Sequence, residues 1–189
     1  MTKARTNADN ASADIQGVTA GTGLTGGGTS GTVALAIDST VATLTGSQTL
    51  TNKTLNSPFI KAPYEVGQQL AAAGGAMNID VLGGSFQFYT STTTANFTLN
   101  FRGDSSTTLN SLIGIGQPIT ISIIVSNTTA YYPTAFTIDG SAPALIKWSG
   151  GTAPSAGNAN SYDAYTFTIW KYSATPDYVM FAAGPIKYA

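Results

Sequence analysis

The sequence predicts an all-β protein, in which an extended N-terminal arm or shaft precedes an antiparallel, jelly-roll-like β-sandwich domain and the chains assemble as trimers. Three observations predict it. Short segments that alternate apolar with polar residues recur from residue 85 onwards, which is strand spacing. Residues typical of turns separate these segments. Charged residues make up only 9% of the chain, against about 25% in ordinary globular proteins, so the surface opposes contact between copies only weakly.

Composition changes near residue 64 and predicts two parts. Residues 1–63 are rich in Gly, Thr, Ala and Asn and contain a single aromatic residue, Phe59. Residues 64–189 contain both tryptophans and nearly all other aromatic side chains. We therefore expect an arm or shaft over 1–63 that attaches to a larger assembly, and a β-sandwich over 64–189.

The arm carries thin apolar stripes. Val33, Leu35 and Ile37 alternate with small residues, and leucines recur at 44, 50 and 55 between Thr and Gly turns. Such short strands are marginal in water by themselves, whereas three copies could bury the same stripe along a shared axis. The alternative is a flexible Gly/Thr linker. The residues expected to dock the arm are Gly17, Val18, Leu24, Val33, Leu35 and Ile37.

In the domain, residues 66–73 are a weak helix candidate that ends at Gly74 and Gly75. Residues 85–90 and 96–101 alternate around a Ser/Thr turn and predict a hairpin. Further strands are predicted at 118–125, 135–139, 144–148, 165–172 and 178–181. Seven or eight short strands with turns between them are typical of an antiparallel sandwich or jelly roll.

The run from Gly21 to Gly26 matches the dinucleotide-binding pattern G-x-G-x-x-G. That site needs a preceding buried strand and a helix whose N-terminus meets the pyrophosphate. More glycines follow directly and would not start a stable helix. We interpret the run as a turn and expect no bound cofactor.

Composition also argues against enzymes. The chain has no His and no Cys, which excludes a Ser-His-Asp triad and a thiol nucleophile. Its nine acidic residues are scattered singly, so neither a glycosidase pair nor a metal site is indicated. A net charge of −1 argues against nucleic acid and anionic membranes as partners. No signal peptide and no long apolar run are seen, so we expect synthesis in a cytoplasm without Sec export or membrane insertion.

Two aromatic groups are open to two interpretations. Tyr131 and Tyr132 precede Pro133 between predicted strands, where exposed tyrosines would suit adhesion to sugar or protein. The alternative is packing against a neighbouring subunit or the base of the loop. Trp148 and Trp170 fall within strand patterns and are expected in the core rather than at a contact.

Several segments resemble structural proteins of tailed bacteriophages. Residues 17–31 (GVTAGTGLTGGGTSG) resemble a glycine-rich repeat of tail fibres, and residues 44–55 (LTGSQTLTNKTL) are similar to a segment found in phage structural proteins, including those of cyanophages. Residues 146–154 (IKWSGGTAP), 163–167 (DAYTF) and 178–182 (YVMFA) resemble a C-terminal β-domain of such fibres.

The resemblance implies a homotrimeric component on the outside of a phage particle, bound to tail, neck or capsid proteins. It supplies no catalytic residue. Because the chain is short for a tail fibre, a head fibre or a capsid decoration or cement protein is the first alternative. The second is a receptor-recognition module that binds host surface glycan.

Overall fold

The computed structural model describes residues 3–5, 17–29, 32–45, 47–50, 53–61, 65–71, 74–143, 145–175 and 177–189. The chain divides into two compact units, Met1–Ile60 and Lys61–Ala189. Most of the regular structure in both is β-strand, which confirms the predicted all-β class.

The first unit contains a small antiparallel meander. Its strands are β1 (Val18–Thr19), β2 (Leu24–Gly28) and β3 (Leu35–Ile37), and β2 lies between the other two. Gly26 has a φ of +103°, and a Cβ atom there would lie 2.3 Å from the carbonyl oxygen of Ala34. Glycine is therefore required where β2 passes β3.

The described residues of the second unit form nine strands in two sheets. They are β4 (Gly67–Leu70), β5 (Gly75–Asp80), β6 (Phe86–Thr92), β7 (Phe97–Arg102), β8 (Pro118–Asn127), β9 (Pro133–Ile138), β10 (Leu145–Trp148), β11 (Ser161–Lys171) and β12 (Tyr178–Tyr188). One sheet has six strands in the order β10-β12-β11-β8-β6-β4, and the other has three in the order β5-β7-β9. A short helix, Leu109–Leu112, lies between β7 and β8.

From β4 to β9 the chain alternates between the sheets at every strand. β4, β6 and β8 are parallel neighbours in the large sheet, and β5, β7 and β9 are parallel neighbours in the small one. Each pair of strands is thus one turn of a coil, stacked on the turn before it. β11 then pairs antiparallel with both β8 and β12, while β10 runs parallel to β12.

The core lies between the two sheets. Alternate residues point inwards along each central strand, as in β8, where Ile121, Ile123 and Val125 are fully buried. Aromatic rings meet across the interior: the centroids of Phe101 and Phe167 are 5.1 Å apart in an edge-to-face arrangement. Every residue of the buried hydrophobic cluster belongs to the second unit.

This topology corrects three predictions. The sheets are mixed and parallel, so the antiparallel, jelly-roll-like arrangement is wrong; a chain that changes sheet at every strand returns to each sheet in the same direction. The predicted hairpin is wrong for the same reason, since β6 and β7 belong to different sheets. The helix predicted over 66–73 is wrong as well: residues 67–70 are strand β4, held by pairing with β6, and residues 72 and 73 lie outside the described residues.

Candidate functional site

The meander gathers the predicted docking residues on one face. Leu24 pairs with Ile37 and Gly26 with Leu35, so the three apolar side chains share a side of the sheet. Val18 pairs with Gly28 on that same side. We call Val18, Leu24, Val33, Leu35 and Ile37 the arm face.

Much of the arm face is open to solvent within its unit. Leu24, Leu35 and Ile37 are 41%, 47% and 54% exposed, whereas Val18 and Val33 are half-buried. A Cβ at Gly28 would lie 3.4 Å from Val33, which places Val33 beside this sheet. Gly17, directly before β1, is exposed and adds only backbone. The arrangement is a small apolar surface without a charged side chain among its five residues.

The loop of Tyr131 and Tyr132 joins β8 to β9, as predicted, but both residues are half-buried rather than fully exposed. Hydrogen bonds from other loops hold its backbone in place. The Tyr132 N–H donates to the side-chain oxygen of Asn96 at 3.2 Å, and its carbonyl accepts from Phe97 N–H at 3.2 Å. The carbonyl of Ala130 accepts from Gly157 N–H at 3.0 Å. The tyrosines therefore sit on a well-anchored loop.

A buried polar cluster lies at the base of this loop, centred on the carboxylate of Asp163 in β11. Asp163 is completely buried, and all the groups that donate to it are neutral: Asn127 Nδ2 at 2.9 Å, the backbone N–H and side-chain amide of Asn158 at 2.8 Å each, and Ser161 Oγ at 3.4 Å. Such a network satisfies the charge without a cation.

Asn127 connects the cluster to the tyrosine loop. Its amide also donates to the carbonyl of Tyr131 at 3.1 Å, and its side-chain oxygen accepts from the buried hydroxyl of Thr93. Two buried side chains, Asn127 and Asp163, thus link the loops 93–96, 128–132 and 154–160 by hydrogen bonds. We call Asp163, Asn127, Asn158, Thr93 and Ser161 the polar clasp.

The sequence reasoning did not single out Asp163, although a signal was present. Asp163 has the same position in the alternation as Tyr165, Phe167 and Ile169, all of which point into the core. Period two therefore places its carboxylate inside, where it must find donors.

The outward surface of the six-stranded sheet carries several large, half-exposed apolar side chains. We call it the outer face. Register and burial place these side chains on it: Phe86, Phe88, Thr120, Ser122, Ile124, Leu145, Lys147, Tyr162, Ala164, Thr166, Thr168, Trp170, Val179, Phe181, Ala183, Ile186 and Tyr188.

A band of hydroxyl groups crosses the centre of the outer face. Thr120 and Thr168 are hydrogen-bonded at 2.9 Å, and Ser122 and Thr166 at 3.3 Å. Apolar groups flank the band at both ends. At one end the rings of Phe88 and Tyr162 meet edge to face, with centroids 5.5 Å apart.

The two tryptophans occupy different environments. Trp148 is half-buried and packs on Phe136, with ring centroids 5.7 Å apart, as expected of a core residue. Trp170 is 40% exposed on the outer face, so its assignment to the core is wrong. It follows Ile169 in β11 and therefore points to the opposite side of the sheet.

Two charged side chains, Asp139 and Lys171, bind the ends of the short helix. At the N-terminus of the short helix, the two carboxylate oxygens of Asp139 accept hydrogen bonds from Leu109 N–H and Asn110 N–H at 2.8 and 2.9 Å. Lys171 donates to the carbonyls of Asn110 and Ile113 at 2.9 and 3.2 Å. Opposite charges thus complement both ends of the helix.

Within the described parts of the chain, no three His, Cys, Asp or Glu side chains are close enough to hold a metal ion. No helix there is long and apolar enough to span a membrane. Comparisons with protein-family models, curated proteins and solved structures found no match.

Proposed function

We propose that this chain is a structural, non-enzymatic protein of a tailed-bacteriophage particle, a short fibre-like homotrimer on the particle exterior. Its N-terminal arm docks on other phage proteins, and its β-domain projects outwards. The observation that carries the proposal is the arm face, where Leu24, Leu35 and Ile37 stay about half exposed within their own unit. Three short strands are marginally stable in water by themselves, and exposed apolar surfaces often mark protein contact sites. We therefore expect another protein to cover the arm face.

Two further observations support the proposal. The segments that resemble phage fibre proteins fall on both units, and the low content of charged residues leaves little repulsion between copies. The purified chain should therefore sediment at about three times 19.3 kDa. A monodisperse monomer at micromolar concentration would contradict the trimer.

Docking through the arm is tested with the double variant Leu35→Thr/Ile37→Thr, which keeps β-propensity but removes the apolar surface. We expect its incorporation into phage particles to fall at least tenfold, because the arm face loses its contact. The matched control is Ala36→Thr in the same strand, since Ala36 pairs with Thr25 on the opposite side of the meander. Equal incorporation of the two variants would show that docking uses another surface.

Capsid decoration is the alternative that uses the same arm face, with coat subunits as the partner. Labelling of the protein in intact particles distinguishes them. Label on the tail or neck supports a fibre-like appendage, and label over the whole capsid surface supports decoration.

Adhesion to host glycan is the second alternative, favoured by the anchored loop of Tyr131 and Tyr132. Aromatic faces cover the C–H side of a sugar, and neighbouring polar groups meet its hydroxyls. Replacing both tyrosines with alanine should then reduce adsorption of particles to host cells. If the melting temperature falls by several degrees instead, the tyrosines are packing groups.

A further inference from the structure

The outer face has more exposed apolar surface than the fold of one chain explains. Its half-exposed large side chains are Phe86 (41%), Leu145 (43%), Tyr162 (45%), Trp170 (40%), Phe181 (48%), Ile186 (53%) and Tyr188 (56%). At roughly 80–100 Å² for each, the seven side chains together expose about 560–700 Å². A standard interface buries about 800 Å² per partner, polar groups included. The area is thus of the size that a stable interface needs.

The charge of the outer face favours a copy of the same chain as its partner. Lys147 is the only charged residue among the strand side chains that point outwards from this sheet. It lies at the edge, on β10. A partner with a strongly charged surface would find no complementary charge here, whereas identical copies would bring little like charge together.

The shape of the outer face also favours contact between copies. A groove of about 320 Å³ runs beside Phe181 and is lined by Lys147, Thr166, Thr168 and Ala183. Phe181 itself is 48% exposed, so each copy presents both an aromatic ring and a groove. The hydroxyl band between the two apolar ends can form hydrogen bonds with its equivalents in other copies.

From these observations we infer that the outer face is the surface by which copies of this chain bind one another, with the three sheets facing a common threefold axis. The inference rests on the proposed trimer and names its contact surface. It requires the hydroxyl band to lie near the axis and the aromatic ends to pack against neighbouring copies. The arm face is then free to dock on the particle.

Single cysteines test the position of the interface, because the full chain contains none. Thr168→Cys places a thiol in the hydroxyl band. Thr98→Cys, on strand β7 of the other sheet, is the matched control because both residues are half-buried threonines within strands. With a short bismaleimide, we expect covalent dimers from Thr168→Cys and none from Thr98→Cys. Dimers from neither variant in a sample that sediments as a trimer would overturn the inference and leave the trimer standing.

A second measurement does not depend on cross-linking. Ile186→Thr removes apolar area from the outer face, and Ile115→Thr is its control because Ile115 is a similarly exposed isoleucine (58%) in a loop. We expect the trimer dissociation constant to rise at least tenfold for Ile186→Thr and to be unchanged for Ile115→Thr. Equal trimer stability for both would overturn the inference. A wild-type chain that is monomeric would remove the proposed trimer itself.

Discussion

The side-chain amide of Asn127 donates to the buried carboxylate of Asp163 at 2.9 Å and to the carbonyl of Tyr131 at 3.1 Å. One residue at the end of β8 thus connects the interior of the large sheet to the tyrosine loop. Asp163 itself accepts from Asn158 at two points, which anchors the loop before β11. The polar clasp makes the shape of this end of the domain depend on a single buried charge.

We predict that Asp163→Ala destabilises the protein by about 2–4 kcal/mol, because the buried amide of Asn127 and the backbone N–H of Asn158 lose their acceptor. Urea unfolding followed by tryptophan fluorescence measures the change. Glu65→Ala is the control, since this exposed carboxylate accepts from Ser85 Oγ at 2.8 Å and its loss should cost less than about 0.5 kcal/mol. Similar losses for both variants would mean that the clasp adds little to stability.

Gly157 gives a second test of the clasp. A Cβ there would lie 2.2 Å from the carbonyl oxygen of Tyr131 and 2.8 Å from Asp163 Oδ2. Gly157→Ala should therefore push the loops apart and lower the unfolding free energy by about 2 kcal/mol or more. Gly21→Ala is the control, because no atom of the described residues lies within 4 Å of its added Cβ. A Gly157→Ala variant with a wild-type urea midpoint would show that the loops move apart at little cost.

The sequence predicted strands at the positions of β6 to β12, but it predicted a helix at β4 and no strand at β5. In β8, period two puts Ile119, Ile121 and Ile123 on one side of the strand, and all three point inwards in the structure. The same rule applied to β11 separates the buried Asp163 from the outward Trp170. The inward position of Asp163 could therefore be predicted from the sequence. Its partner Asn127 lies 36 residues away and could not be predicted in this way.

Strand pairing could not be obtained in this way. Alternation specifies the faces of a strand but not its neighbours, and a short turn joins either a hairpin or two strands in facing sheets. After β6 the chain crosses to the other sheet, because Thr93 is buried and bonded to Asn127 while Phe97 enters the core. This contact comes from distant parts of the chain, so the parallel coil was not predicted.

Tyr165 has the only buried side-chain polar atom without a hydrogen-bond partner among the described residues. We predict that Tyr165→Phe leaves stability unchanged or raises it by about 1 kcal/mol, since it removes a desolvated hydroxyl and keeps the ring. Tyr89→Phe is the matched control: Tyr89 is also buried, but its hydroxyl donates to Gln87 Oε1 at 3.4 Å. That variant should lose about 0.5–1 kcal/mol by urea unfolding. A loss for Tyr165→Phe as large as that for Tyr89→Phe would contradict the prediction.

Alkaline pH should unfold the protein through its buried tyrosines. Burial, aided by the charge of Asp80, raises the pKa of Tyr89 to about 12, and burial together with Asp139 raises the pKa of Tyr178 to about 12. Burial, with Asp163 nearby, also raises the pKa of Tyr165 above its usual value. In the unfolded chain these groups ionise near pH 10.

Between pH 10 and about 12 the unfolded state therefore binds fewer protons than the folded state, and stability falls as pH rises. Below pH 10 the contribution of these tyrosines is fully present and constant. Urea midpoints measured across this range should decline, and Tyr89→Phe should decline less steeply because one titrating group is gone. Ile115→Thr, which changes an exposed loop residue and removes no titrating group, is the control and should keep the wild-type slope. A wild-type midpoint that stays flat up to pH 12 would contradict the assignment of these tyrosines to the core.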